Sequence, residues 1–560
     1  MDSELPLPAV EAVRGKAESR HARIVRSAGV VSGAVFLSRI TGVLRDLVFA
    51  RFFGAGFVYD AFLAAFRIPN LLRDLLAEGA LSAAFVTVFS QYMTNKGDEE
   101  AFELSNRVAT ILTPALMLAC VIGIIFAPQG VDLMFPGFAE IPGKKELTVT
   151  LTRIMMPFLL FIALSSKAMG VLNAKGIFAI PALASAFFNL GSIAFGLFAG
   201  FVLGPRLGFS PIAGMAIGTL IGGSLQYLVQ WPSLRRIGLR YHFALSLRDP
   251  GVRQIFRLMG PAVIGTAAVQ VNVVINSNFA SEILDASGHV ANGPVSWLGY
   301  AFRFMQLPIG LFGVAIASAT LPAIARSAAE NNIPEFRSTL SASLGLVFLL
   351  SLPSAVGLAL LSEPMIGLIF QRGRFTANDT HQTALALTCY SLGLIGYSAI
   401  KVLTPAFYAL NEVRVPMMAS LASIATNYGL NWAFIRVLNW GHAGLAFSTS
   451  LVATINFLVL IVFLRRKIHR LEGRRLARSF SRILVASGAM GAVCAASTFS
   501  MRHWLGTRAL ARLADLSLTI PLGILVLYGA CRAMHVEELS TASDAILGKS
   551  RAVLKSRRAP

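Results

Sequence analysis

Ile177–Gly204 reads IFAIPALASAFFNLGSIAFGLFAGFVLG, a stretch without one Asp, Glu, Lys or Arg. A helix rises 1.5 Å per residue and the hydrocarbon core of a bilayer is about 30 Å thick, so roughly 20 such residues span it. Runs of the same kind recur at Val108–Val131, Leu207–Leu234, Leu258–Ser281, Ser338–Ser362, Ala443–Leu464 and Ile483–Met501. Across the 560 residues only 14% are charged and 55% are hydrophobic, with a mean hydropathy of +0.67. Soluble proteins average about 25% charged residues. A soluble chain of this length would divide into several domains, each with a polar skin, and the residues for those skins are missing. The fold class is therefore an all-α polytopic membrane protein. Fourteen spans are expected, starting near residues 25, 60, 106, 148, 178, 208, 256, 294, 337, 379, 414, 442, 482 and 513. No loop is long enough for a soluble domain, so any chemistry takes place in or beside the membrane.

The formal net charge of +21 invites a nucleic-acid reading, which its distribution opposes. Basic residues cluster before span 1 (Arg14 to Arg26), between spans 6 and 7 (Arg235 to Arg257), between spans 12 and 13 (Arg465 to Arg482) and at the end of the chain (Lys549 to Arg558). With fourteen spans all four fall on one side, and short basic loops stay cytoplasmic. Both termini are then cytoplasmic and no nucleic acid is a partner. Arg502, Arg508 and Arg512 are the exception, falling outside. The first 26 residues mix both signs of charge around no short apolar core, so no cleaved signal peptide is expected. Cys120, Cys389, Cys494 and Cys531 all lie in apolar runs without metal-ligand spacing, so neither a disulfide nor a metal is expected.

A faint internal repeat orders the spans. Phe66-Arg67-Ile68-Pro69 in span 2 and Met305-Gln306-Leu307-Pro308 in span 8 each interrupt an apolar helix, with small residues following. Leu172-Asn173 precedes Pro181-x-x-Ala184-Ser185, as Leu410-Asn411 precedes Pro416-x-x-Ala419-Ser420. Two pseudo-symmetric six-helix lobes follow, with the substrate site near the midplane, as in transporters built from repeats. The divisions are a cytoplasmic tail over 1–24, an N-lobe over 25–240, a C-lobe over 241–471, two further helices over 472–535 and a basic cytoplasmic tail over 536–560.

One region breaks the apolar rule. Nine charged residues lie between positions 39 and 78: Arg39, Arg45, Asp46, Arg51, Asp60, Arg67, Arg73, Asp74 and Glu78. A charge at the bilayer centre costs roughly 2.5–3.5 kcal/mol on insertion scales, so these side chains should face water or each other. Arg39, Gly42 and Asp46 share one helix face by spacing, as do Asp60, Arg67, Asp74 and Glu78. Arg51 and Asp60, which flank Gly54-Ala55-Gly56, fit snorkelling at helix ends better. Arg67 fits either reading. Arg39, Arg45, Arg73 and, in span 8, Arg303 sit too far from the ends for that. They suit a water-filled cavity receiving an anion, because the planar guanidinium grips phosphate oxygens and stays charged. On helical geometry Asp74 should point away from Arg73, since neighbouring side chains lie about 100° apart. The loop Gln371–Thr376 reads as a cap for the following helix. Asn427 and Asn431 share a face of span 11, which helix packing explains. No phosphate loop and no His-x-x-x-His pair is present, so no enzyme motif and no cofactor site emerges.

At spans 1 and 2 a resemblance becomes specific. Ser38-Arg39-Ile40-Thr41-Gly42-Val43-Leu44-Arg45-Asp46 is similar to the opening of the MurJ (MviN) lipid II flippases, in the multidrug/oligosaccharidyl-lipid/polysaccharide exporter superfamily. The likeness continues through Phe53-Gly54-Ala55-Gly56, Asp60-Ala61-Phe62, Pro69-Asn70-Leu71-Leu72-Arg73 and Glu78-Gly79-Ala80. Val295-Ser296-Trp297, Tyr300 with Arg303, Leu307-Pro308-Ile309-Gly310, Phe375-Thr376 and Pro405-Ala406-Phe407-Tyr408-Ala409 extend it over most of spans 1–12.

The resemblance implies flipping of a lipid-linked peptidoglycan precursor, lipid II, from the inner to the outer leaflet of a bacterial inner membrane. This substrate is an undecaprenyl-pyrophosphate-linked disaccharide peptide, and membrane lipids are the other partners. It implies that Arg39, Arg45, Arg73 and Arg303 hold the pyrophosphate and that spans 13 and 14 line a groove for the polyprenyl tail. It places Ser38 and Asp46 at a periplasmic gate, with Asp60, Asn70, Glu78 and Ser296 also at the gate or cavity. Two departures stand out. Asp74 takes the place of a second arginine. Where some members carry sodium-binding carboxylates, this chain has only Asn272, Asn276, Asn427 and Asn431, which argues against sodium coupling. The competing reading is a same-fold exporter of another undecaprenyl-linked glycan or of drugs, though drug export calls for acidic cavity residues. A membrane-embedded wall enzyme would need a catalytic constellation, and a scaffold would gain nothing from arginines within spans.

Overall fold

The computed structural model describes residues 33–75, 81–469, 471–506 and 508–540. The tail clusters before residue 33 and after residue 540 lie outside these residues, as does Glu78. Helices run through almost all of the described chain, and its only β pairing is the isolated bridge Leu284–Val290. Among the described residues nine helices are long and apolar enough to cross a membrane, or up to eleven if each of two bent pairs is one span. The bent pairs are Pro250–Pro261 with Thr266–Ser281 and Ala377–Ser391 with Leu394–Ala409. Three further expected positions are helical without being among these eleven: 33–53, Phe57–Leu72 and Arg414–Trp432. The helix 33–53 carries Arg39, Arg45, Asp46 and Arg51, and Phe57–Leu72 is only 16 residues long.

The interruptions predicted at the two proline motifs are present. The helix Pro294–Pro308 passes into a π-helical turn, Ile309–Val314, before Ala315–Ala329 resumes. The helix Phe57–Leu72, with Pro69 inside it, likewise passes into π-helical backbone at 73–75. Proline removes one backbone donor and crowds the preceding turn, and a π-bulge absorbs the mismatch.

The described chain separates into two compact units. The first holds residues up to Phe49, Ala61–Leu133 and Pro142–Gln270; the second holds Ala50–Asp60, Met134–Ile141 and the chain from Val271 onward. In the first, Phe85, Val88, Phe89, Leu104, Leu159 and Val171 are among the buried core residues. Here Ala179–Leu197 meets Pro211–Leu228 at very short range. A Cβ on Gly214 or Gly218 would overlap the backbone of Gly200 or Gly196. Gly214, Gly218 and Gly222 recur every fourth residue, the small-residue stripe that lets membrane helices approach closely. In the second, Phe336, Leu340, Leu344, Val402, Leu403 and Phe407 belong to a separate core. The last two long helices, Gly473–Leu505 and Ala509–Ala533, pair through a polar seam. Thr498 and Thr519 donate to the buried Asp515 at 3.1 and 2.8 Å. Arg502, an exception to the charge pattern, pairs with Glu363 at 3.2 Å, and Arg512 donates to Gln371 at 2.7 Å.

Candidate functional site

Asp60 lies in the first turn of Phe57–Leu72, just after the turn that Gly54 makes with φ of +69°. Its side chain is fully buried. The carboxylate accepts from the Gly293 N–H at 2.7 Å, the Ser296 N–H at 2.8 Å and the Ser296 hydroxyl at 2.6 Å. These donors open the helix Pro294–Pro308, which has no side-chain cap of its own. Asp60 thus serves as an N-cap from a distant part of the chain, satisfying orphan N–H groups and meeting the positive end of the helix dipole. The snorkelling reading of Asp60 is therefore corrected. A carboxylate that takes three hydrogen bonds is stabilised in the interior and has no need to reach a helix end. Two expected gate residues, Asp60 and Ser296, are in direct contact. Arg51 is exposed, as that reading expects for it.

The helix 33–53 carries Ser38, Arg39, Arg45 and Asp46. Arg39 is exposed, Ser38 and Arg45 are half-buried, and Asp46 is buried. Arg45 lays its guanidinium over the Phe188 ring, 5.3 Å from the centroid, and its Nε lies 3.7 Å from Asp46 Oδ1. Stacking on an aromatic face holds the cation in place. The Ser38 carbonyl accepts from Thr41 Oγ1 at 3.0 Å and from Asn189 Nδ2 at 3.2 Å, and Asn189 also reaches Thr41 Oγ1 at 3.3 Å. Gly42 lies beside this amide, and a Cβ there would make an ordinary contact with it at 3.5 Å. Asn189 was not foreseen. Its signal in the sequence is that it is the one amide in the run Ile177–Gly204.

Arg73 departs from its expected surroundings. Its Nε and Nη2 both donate to Asp74 Oδ1, at 3.1 and 2.8 Å, where Asp74 was expected to point away. The 100° spacing holds for an α-helix, and the backbone here is π-helical, which alters the angle between neighbours. Asp74 also accepts from Gln270 at 3.5 Å. The two side chains are 26% and 37% exposed, so the pair's net contribution is small, about 0–1 kcal/mol. One turn earlier, half-buried Asn70 holds its Oδ1 out of solvent without a hydrogen-bond partner among the described residues. Arg303 is half-buried in Pro294–Pro308.

The amides of the expected spans 7 and 11 form a cluster in the second unit. Asn276 Oδ1 accepts from Asn427 Nδ2 at 3.0 Å and Asn431 Nδ2 at 2.8 Å, and Asn272 donates to Ser423 at 3.1 Å. These bonds are helix packing. The loop before Ala377–Ser391 is a cap, as its sequence suggests: Thr376 and Asp379 form a reciprocal capping box, and Asp379 also accepts from the Trp297 indole at 3.0 Å.

Comparison with known proteins identifies the family and the fold. Residues 49–514 match the family described as lipid II flippase MurJ. A lipid II flippase MurJ of Burkholderia cenocepacia is 36% identical over 448 residues, covering 79% of this chain and 84% of that one. A probable lipid II flippase MurJ of Vibrio cholerae is 32% identical over 514 residues, 90% of this chain and 94% of that one. Among solved structures, a lipid II flippase MurJ in an inward closed conformation superposes with a TM-score of 0.70 at 26% identity, covering 90% of this chain and 99% of that one. An inward-facing multidrug transporter of the MATE family shares the fold, at a TM-score of 0.58 and 16% identity over 78% of this chain and 93% of that one. Matched over most of its length by family, relatives and fold alike, the chain belongs to the MurJ family of lipid II flippases.

Proposed function

We propose that the protein carries lipid II from the inner to the outer leaflet by alternating access, with Arg39, Arg45, Arg73 and Arg303 receiving the pyrophosphate. The coarser statement stands on family membership: the chain is a multi-pass inner-membrane lipid II flippase, a transporter and not an enzyme. One observation carries the finer reading. Membrane helices hold half-buried arginines, Arg45 with its guanidinium over the Phe188 ring and Arg73 beside the partly exposed Asp74, and the planar guanidinium suits phosphate oxygens. Asn70, with its unsatisfied oxygen, suits a hydroxyl or amide donor of the head group. Ser38, Asp46, Asp60, Glu78 and Ser296 belong to the gate and cavity in this proposal, and residues 472–535 take the polyprenyl tail. Complementation of a strain depleted of its own lipid II flippase tests the function; failure of a well-inserted protein to restore growth overturns it.

Orientation follows from the basic clusters, with both termini cytoplasmic. Membrane-impermeant thiol reagents added outside should modify cysteines substituted near Gly56 and His289 and miss those near Arg240 and Arg475. The opposite pattern would invert the topology.

The amide cluster bears on energy coupling. Asn276, Asn427 and Asn431 are neutral, and the Asn276 oxygen already accepts two hydrogen bonds. Replacing an outside sodium gradient by potassium should leave flipping in vesicles unchanged. An inside-negative potential should accelerate outward movement, since each charge crossing 100 mV contributes about 2.3 kcal/mol. A rate that follows sodium and ignores voltage contradicts this.

A further inference from the structure

In the first unit, residues 237–249 join the membrane span Pro211–Arg236 to the helix Pro250–Ser281 without forming a helix of their own. Polar groups pin this connector to the helix Asp98–Ile125. Asn106 Nδ2 donates to the Arg240 carbonyl at 3.0 Å and lies 2.9 Å from His242 Nδ1, while His242 Nε2 lies 2.7 Å from Glu103 Oε2. The Ala244 N–H donates to Thr110 Oγ1 at 3.1 Å. At the far end Arg107 donates to Asp249 Oδ2 at 2.5 Å, and Asp249 Oδ1 accepts from the Val252 N–H at 3.0 Å. Between these attachments the chain alternates. His242 and Ala244 supply the bonds, whereas Tyr241, Phe243, Leu245 and Leu247 are 52%, 74%, 62% and 63% exposed. Side chains two residues apart in an extended chain point the same way, so these four apolar residues form one face turned away from the helix.

Water is a poor neighbour for such a face, and its setting says what replaces water. Arg235, Arg236, Arg240, Arg248, Arg253 and Arg257 crowd the stretch, and the one acid between Trp231 and Arg257 is Asp249, already held by Arg107 and by the start of the next helix. The connector is tethered at both ends to membrane helices, which keeps it at the edge of the bilayer. Large apolar side chains flanked by arginines in that position have the make-up of a segment that lies in the membrane interface. We propose that Tyr241, Phe243, Leu245 and Leu247 seat in the boundary between head groups and acyl chains of an anionic phospholipid leaflet, with Arg240 and Arg248 on the lipid phosphates. The lipid surface then holds the start of Asp98–Ile125 in place through the bonds to Asn106 and Thr110. The orientation given above makes this the cytoplasmic leaflet. The insertion itself depends neither on that orientation nor on lipid II as the cargo.

A nitroxide attached to Phe243→Cys tests this through its collision rates with oxygen, which concentrates among acyl chains, and with a water-soluble nickel chelate. Wild-type protein, whose four cysteines are buried or half-buried, sets the labelling background. Glu99→Cys, on the exposed first turn of Asp98–Ile125, gives the aqueous reference. In vesicles of phosphatidylcholine with about one-third phosphatidylglycerol, the oxygen-to-nickel ratio at position 243 should exceed that at position 99 roughly tenfold. Leu245→Cys should behave alike, which guards against a label that disturbs a single site. Each arginine near an anionic surface strengthens the attraction about fivefold, so Arg240→Gln/Arg248→Gln should lower the ratio at position 243 to its value in pure phosphatidylcholine. Ratios at positions 243 and 245 equal to that at position 99 overturn the insertion and leave the face to a protein partner. A ratio at position 243 that neither the lipid nor the arginine pair alters overturns the assignment to an anionic leaflet.

Discussion

Arg73→Ala and Arg303→Ala should each abolish complementation of a flippase-depleted strain while the protein still inserts and accumulates. An arginine in a membrane helix is costly unless water or an anion receives it, so its retention needs a function. Removing one side of a desolvated, hydrogen-bonded charge pair costs about 2–5 kcal/mol, roughly 30- to 5,000-fold in affinity. Lysine at either position should rescue only in part, because a compact ammonium cannot make the two-pronged contact of a guanidinium with phosphate. Asp74→Ala sharpens the test. Asp74 holds Arg73 in the structure, but the pair is partly exposed and its loss costs about 0–1 kcal/mol. If Arg73 serves a substrate phosphate, Asp74→Ala should retain activity. If Arg73 exists to pair with Asp74, the two alanine variants should share one phenotype. Full activity in both arginine variants would make those arginines structural.

The second large effect belongs to Asp60. Asp60→Ala should destabilise the protein by about 3–5 kcal/mol and abolish transport. It removes a buried acceptor of three hydrogen bonds, leaving two backbone N–H groups and one hydroxyl unsatisfied. Asp60→Asn should be intermediate, since an amide oxygen still accepts while its NH2 enters a site filled with donors. Ser296→Ala removes one of the three bonds and should cost about 1 kcal/mol. Thermal unfolding in detergent measures the ranking. In a double-mutant cycle Asp60→Ala with Ser296→Ala should fall well short of additivity, because the Ser296 hydroxyl has already lost its acceptor. Equal unfolding temperatures for wild type and Asp60→Ala would contradict the cap.

Much of the fold was legible because the bilayer imposes a simple rule. Runs such as Val108–Val131 and Ser338–Ser362 have no alternative to crossing it, and helices stand where those runs predict. The proline interruptions were also legible, since proline acts on its own helix. Contacts distant in sequence were not. Nothing near Asp60 announces that its donors lie 233 and 236 residues away, and its charge beside a turn imitates a snorkelling end. The Arg73–Asp74 pair escaped for a local reason, because an α-helical angle was applied to backbone that turns π-helical. Asn189 alone left a direct trace, an amide in a run where an amide needs a partner.

Purified protein in vesicles carrying fluorescent lipid II on one leaflet gives the most direct measurement. The rate at which the label becomes accessible on the opposite leaflet should exceed that of protein-free vesicles by at least tenfold, and Arg73→Ala should return it to the background. Equal rates with and without the wild-type protein would contradict lipid II flipping by this chain.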